Sequence, residues 1–196
     1  SDLRNAMGNK AIKIKAEELL SFGIPKQQVF DNLLLQFPEA KPKKVAEVVR
    51  YMPSLMARER FRTLHLTLLG LIAASAVLRL ARPLLQGAIG PDQATAYLSL
   101  VPIATLLLGY SMYRWQGQVF EWVGWGNAVG AFGLLNDLSG FVKDGGDLWT
   151  LTGRVLSVSS GGVALYLAHQ VFTKPKVEKD LMTGMERVVF KEERSI

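Results

Sequence analysis

The sequence predicts an all-α, polytopic membrane protein: four transmembrane helices, a small N-terminal three-helix domain and a charged C-terminal tail. Three observations carry that expectation. Residues 64–78 hold one histidine, His65, and no full charge, and 61–80 supplies the roughly 20 apolar-rich helical residues that a hydrocarbon core of about 30 Å requires. Charge is partitioned along the chain. Residues 8–62 hold eleven Lys/Arg against six Asp/Glu and the tail from 174 holds six against five, whereas only ten full charges fall between 63 and 173. Finally, 49% of the residues are hydrophobic and the mean hydropathy is positive at +0.17 although the ends are charged, which argues against a single soluble domain.

The net charge of +6 fits the positive-inside rule and attraction to anionic lipid better than it fits nucleic acid. With no cysteine, disulfides and thiolate metal sites are excluded. The first long apolar run begins about 60 residues in, which argues against a cleaved signal peptide. Residues 1–8 read as a non-native remnant (1–6) followed by a start at Met7. Gly8 is followed by Asn9, Lys10, Ala11 and Ile12; a myristoylation signal wants Ser or Thr where Ile12 stands, so no acylation is expected.

Residues 9–53 read as a cytoplasmic domain of three amphipathic helices. The first, about 10–22, gathers Ile12, Ala16, Leu19 and Leu20, and Gly23 sits where a left-handed residue would end it, with Ile24 as its apolar contact. Pro25 opens the second, whose stripe is Val29, Phe30, Leu33, Leu34 and Phe37. Pro38 stops it and Pro42 opens the third, in which Val45, Val48, Val49 and Met52 recur at helical spacing. The general shape is similar to ubiquitin-associated and helix-turn-helix modules. A base-reading helix needs a row of donors at contact positions; the third helix offers Lys43, Lys44, Glu47 and Arg50, which makes nucleic acid an unlikely partner. Self-packing or a protein partner is the stronger expectation for so small a core.

The transmembrane domain, residues 54–172, is expected to begin with Ser54 as an N-cap of a helix running on through Arg58, Arg60 and Arg62. Those arginines, with Arg114, suit anionic headgroups. The four spans are expected at about 61–80, 94–113 (with Pro102 tolerated as a kink), 119–138 and 151–172, the second and third joined by a very tight turn at 114–117. An even number of spans places both termini in the cytoplasm of a cell inner membrane. Tyr110, Tyr113, Trp115, Trp122 and Trp125 suit the inner interface. Residues 173–196 read as a cytoplasmic tail in which Leu181, Met182, Met185, Val188, Val189 and Phe190 allow an amphipathic helix.

Spans three and four are rich in small residues. Gly126, Gly130 and Gly133 on one, and Ser157 and Gly161 on the other, have the small-xxx-small spacing that lets backbones approach in lipid. They predict tight packing within one subunit or a seam in a homo-oligomer. Ionisable groups at membrane depth are functional candidates because each is costly unless paired or wet. Asp137 and Arg154 are expected to pair, or to share an outer cluster with Asp144 and Asp147. His65, Glu121 and His169 fall toward the inner surface and, with Asn127, Asp137 and Arg154, are the candidate polar or ion-path residues. Asn127 and Asn136 need hydrogen-bond partners, which neighbouring helices supply.

HExxH, GxSxG, Walker and GxGxxG signatures are all absent, and two separated histidines make a metal site improbable; no cofactor and no enzymatic activity are expected. The leading expectation is a non-enzymatic membrane assembly or signalling subunit. It would bind membrane lipids, form a homo-oligomer and present its basic domain to a cytoplasmic protein. The alternatives are a small ion channel or transporter lined by the Gly/Ser faces, and a membrane-tethered nucleic-acid-binding protein.

Overall fold

The computed structural model describes residues 2–85, 106–145, 147–179 and 186–190. It is helical apart from one C-terminal hairpin. In order come α1 (Asp2–Ser21), α2 (Lys26–Gln36), α3 (Pro42–Arg50), α4 (Leu55–Arg60), α5 (Arg62–Leu85), α6 (residues 106–113), α7 (Gly117–Ala128), α8 (Gly130–Asp144), α9 (Leu148–Val171), β1 (Lys176–Lys179) and β2 (Glu186–Val189). The chain divides into two units, residues 1–62 with 169–196, and residues 63–168.

The first unit is the three-helix domain, and its punctuation follows the sequence. The Gly23 N–H bonds Leu20 O and the Ile24 N–H bonds Leu19 O, with Gly23 at φ +78°; this is the Schellman arrangement, which a residue without Cβ adopts at least cost. Pro25 N-caps α2 and Pro42 takes the first turn of α3. Ile12, Ala16 and Leu20 of α1 meet Val29, Phe30 and Leu33 of α2, and Val45, Ala46 and Val49 of α3. Helix α1 starts earlier than the apolar spacing suggests, running through residues 2–9.

Two features of this unit depart from expectation. The Ser54 hydroxyl does accept from the Ala57 N–H at 3.1 Å, but the helix it caps stops at Arg60, with Phe61 outside helical dihedrals before α5 begins. The tail is not an amphipathic helix where it is described. Glu186–Val189 is a strand, paired antiparallel with Lys176–Lys179 in the register Lys176↔Val189, Val177↔Val188, Glu178↔Arg187, Lys179↔Glu186. Leu181, Met182 and Met185 lie outside the described residues. The helical reading rested on the i, i+3, i+4 spacing of Met185, Val188 and Val189; adjacent β-branched valines fit a pleated surface better. Phe190 then enters the helical core, its ring 5.7 Å from that of Phe30, and enlarges a core that three short helices alone leave marginal.

The unit also encloses the end of α9. Lys26, almost fully buried, donates to Val171 O at 2.8 Å, and the Arg50 Nε–H donates to Phe172 O at 3.1 Å. The last carbonyls of a helix have no intrahelical donor and carry the negative end of its dipole. Two cations on two different helices satisfy them here.

In the second unit, α5 is 24 residues long, and its segment Arg62–Arg79 is, among the described residues, the single helix window long and apolar enough to cross a membrane. Most of the expected second span falls outside the described residues; 106–113 is helical. The expected third span appears as α7 and α8. Val129 between them keeps helical dihedrals, and its N–H still bonds Trp125 O, but the Phe132 N–H bonds Val129 O, a tightened i−3 step. The expected fourth span is α9, also 24 residues, with Thr150, Thr152, Ser157, Ser159 and Ser160 lowering its hydropathy.

Candidate functional site: the polar seam of α7, α8 and α9

Small residues set the distance between α7 and α9. A Cβ added to Gly161 would lie 2.7 Å from the Asn127 Cβ and 3.3 Å from the Ala128 nitrogen, and one on Gly124 would lie 2.6 Å from the Leu165 side chain. Real carbon atoms do not approach that closely: at Gly161 the Asn127 Cβ and neighbouring backbone would have to move, whereas at Gly124 the Leu165 side chain would have to shift. Across this contact Asn127 makes two hydrogen bonds. Its Oδ1 accepts from the Ser157 hydroxyl at 2.7 Å and its Nδ2 donates to the Ser160 hydroxyl at 3.3 Å. Ser160 in turn donates to Ser157 O at 2.8 Å. Asn127, Ser157 and Ser160 are thus linked to one another across the seam.

Farther along, Arg154 Nε donates to Asp137 Oδ2 at 2.8 Å. Gly133 lies beneath that guanidinium; a Cβ there would be 2.9 Å from Arg154 Cζ. Gly130 faces Arg154 and Ser157 at ordinary contact distance. Of the small residues singled out in the sequence, Gly130, Gly133, Ser157 and Gly161 are therefore taken up by packing within the chain. Gly126 has open space where its side chain would be. Asp147 does not join this ion pair in any described contact: it caps α9, accepting from the Trp149 N–H at 3.1 Å and the Thr150 hydroxyl at 2.7 Å.

The open space beside Gly126 is a cavity of about 330 Å³, at the lower end of the range of ligand pockets. Asn127, Ser157, Ser160, Ser75 and Arg79 form its polar wall; Ile72, Ala76, Leu108, Trp122 and Val123 form the apolar one.

The other candidate groups have separate settings. His65 is buried, its Nε2–H donating to Met112 O at 2.9 Å. Its ring lies 4.0 Å from that of Trp115 and 5.9 Å from that of Phe120. Trp115 is placed there by the tight turn after α6. The Gln116 N–H bonds Ser111 O and the Trp115 N–H bonds Met112 O, again a Schellman arrangement, but with tryptophan at φ +55° where glycine is usual. This aromatic knot is a feature that the spacing of His65 and Trp115, 50 residues apart, did not disclose. Glu121 is half-buried on α7, and His169 is exposed in the last turn of α9. Among the described residues no group of three or more His, Cys, Asp or Glu is placed to hold a metal. Arg60 stacks on Phe61 at 5.4 Å; Arg62 and Arg114 are exposed, and Arg58 is half-buried with its Nε shielded from solvent.

No family model, curated protein or solved structure matches the chain.

Proposed function

We propose that the chain is a non-enzymatic integral membrane assembly or signalling subunit, its residues 63–168 embedded in a bilayer and its other unit presented to a cytoplasmic protein. One observation carries the reading: residues 63–168 leave large apolar side chains open while several of their polar ones are matched within the chain. Trp122, Phe132 and Val142 are each at least 80% exposed, with Leu107, Trp125, Val129 and Leu135 also open, while Asn127, Ser157, Ser160 and His65 turn inward onto one another and onto backbone. Water penalises exposed apolar area by about 25 cal/mol per Å²; hydrocarbon does not, and penalises unpaired polar groups instead. The exposure of α5 fits the same account, since only 11% of its Arg62–Arg79 window is buried, unlike the core helix of a water-soluble domain.

Self-association in this reading uses the outward apolar face of α7 and α8, because Gly130, Gly133 and Gly161 are occupied within the chain. The test is fractionation of the expressed chain followed by native mass measurement of the gently extracted complex. Retention in carbonate-washed membranes together with a stoichiometric soluble partner is expected. A detergent-free, monodisperse soluble monomer overturns the reading.

The cavity beside Gly126 favours a second reading, a small channel or transporter whose path uses Asn127, Ser157 and Ser160. Proteoliposomes discriminate: transport predicts solute or ion flux that Asn127→Leu abolishes, and the assembly subunit predicts none.

A further inference from the structure

We propose that the outer edge of β1, which pairs with no other strand among the described residues, meets its counterpart in a second copy of this chain, antiparallel and centred on Val177. The two edges of the hairpin are not alike. On β2, the Gln27 carboxamide accepts from the Phe190 N–H at 2.8 Å and donates to Val188 O at 3.4 Å. Those are the two bonds that a neighbouring strand's peptide would make, so the outer edge of β2 is already closed by a side chain. Along a strand, the N–H and C=O of one residue point to the same side and successive residues alternate. Since Val188 and Phe190 address Gln27, Arg187 and Val189 address β1 through their partners Glu178 and Lys176. Val177 and Lys179 therefore aim their peptide groups outward, along a strand whose four residues are all exposed.

Charge selects a copy of the same strand and fixes its register. With Val177 opposite Val177 of the second copy, Lys176 stands against Glu178 of that copy, and Glu178 against its Lys176. Sliding one copy by two residues, the smallest step that keeps outward peptide groups facing each other, sets Glu178 against Glu178 in one direction and Lys176 against Lys176 in the other. Like charges directly opposite are unfavourable, so the centred register stands alone. Lysine and proline commonly blunt an edge strand; here each Lys176 acquires a carboxylate, and Pro175, opposite Lys179, needs to offer only its carbonyl. Side chains agree with the charges. Val177 lies opposite Val188, which packs against the helical core, yet Val177 itself is 61% exposed. The pairing completes a row of four valines, Val188–Val177 and the same two of the second copy, across a four-stranded sheet.

The chain has no cysteine, so Val177→Cys in the purified full chain introduces a single thiol at the two-fold axis. Hydrogen-bonded antiparallel partners have Cα atoms about 5.5 Å apart, within the span a disulfide bridges. Lys179→Cys is the control on the same edge: its two thiols would lie four residues apart in register, about 13 Å. Mild oxidation is expected to convert Val177→Cys to a covalent dimer and to leave Lys179→Cys monomeric. Adding Lys176→Glu, which sets carboxylate against carboxylate, suppresses the Val177→Cys dimer. Separately, Val177→Pro removes an outward N–H that the β1–β2 ladder does not use, and loss of the hairpin-dependent dimer by sedimentation is expected. Equal cross-linking at 177 and 179, no cross-linking at 177, or indifference to Lys176→Glu overturns the proposal. Because the readout is specific to position, association through α7 and α8 neither produces nor masks it.

Discussion

Trp115 allows a sharp test of the turn between α6 and α7. Its φ of +55° puts a bulky residue in the left-handed region, where a Cβ costs about 1–2 kcal/mol. The side chain offsets this: Trp115 is 9% exposed, and its ring packs against His65 at 4.0 Å and Phe120 at 5.9 Å. Truncation to alanine removes the ring, about 3–5 kcal/mol for a large buried aromatic, and retains the backbone strain. Truncation to glycine loses the same ring but releases the strain. Glycine also gains entropy in the unfolded chain, which takes back about 0.4–1 kcal/mol. Both variants are destabilised, and Trp115→Gly is expected to be more stable than Trp115→Ala by up to about 1.6 kcal/mol, a melting difference of up to about 3–6 °C for a chain of this size. That order is the reverse of the one found at ordinary helical positions, where glycine is the worse residue. Thermal or denaturant unfolding of the two variants side by side, in the same detergent or buffer, reads the difference. Alanine more stable than glycine refutes the argument that the Schellman geometry at 115 governs this turn.

Gly161→Ala is expected to cost about 1–3 kcal/mol by overpacking, because the added carbon meets the Asn127 Cβ and the Ala128 backbone, neither of which is a flexible tip; the same change at Gly126, inside α7 with open space for the added carbon, should raise stability by about 0.4–1 kcal/mol. Lys26→Met keeps the stem but deletes the donor to Val171 O, and should lose about 2 kcal/mol, the magnitude of a hydrogen bond from a charged group. Hydrogen exchange should then accelerate in the last turn of α9, and unchanged exchange there would show that the clamp does not hold that helix end. A double-mutant cycle on Asp137→Asn and Arg154→Met should give a coupling of only about 0.5–1 kcal/mol, because the two side chains remain 24% and 38% exposed; a coupling of several kcal/mol would place the pair in a far drier setting.

What the sequence disclosed depended on the range of the signal. Gly23, Pro25, Pro42 and Ser54 act within a few residues, and each appears where its backbone preference puts it. The stripes of α1, α2 and α3 were legible because one face of each helix meets one core. The pairing of Arg154 with Asp137 was legible because two charges flanking a short connection have few other partners. Three features were not legible. The hairpin was hidden because Met185, Val188 and Val189 satisfy a helical spacing as well as strand propensity, and its closing partner, Gln27, lies 163 positions from Phe190. The clamp on α9 joins Lys26 and Arg50 to carbonyls more than 100 positions away, and no periodicity encodes that. The small-residue spacing predicted close approach without saying what would fill it; the answer is Asn127 of the same chain, a residue the sequence singled out only for needing a partner.

The matching of Asn127 also bears on the environment of residues 63–168. In water, an asparagine and two serines gain little by facing one another, since solvent competes for every bond. Their mutual satisfaction is worth most where solvent is absent, and there an unmatched amide is costly. The same residues leave Trp122, Trp125 and Phe132 open, an arrangement that water alone disfavours. In the proposed reading hydrocarbon covers those rings; a docked protein surface is the competing covering. The two coverings differ in what they ask of the chain. A protein surface imposes a shape on one face only, whereas a bilayer surrounds the whole girth. Val77 on α5, Leu107 on α6, Val142 on α8 and Val155 on α9 are exposed as well, so the apolar surface is contributed by every described helix of the unit rather than by one. That distribution supports the proposed reading, in which lipid covers the unit, over one in which a single docking face is covered.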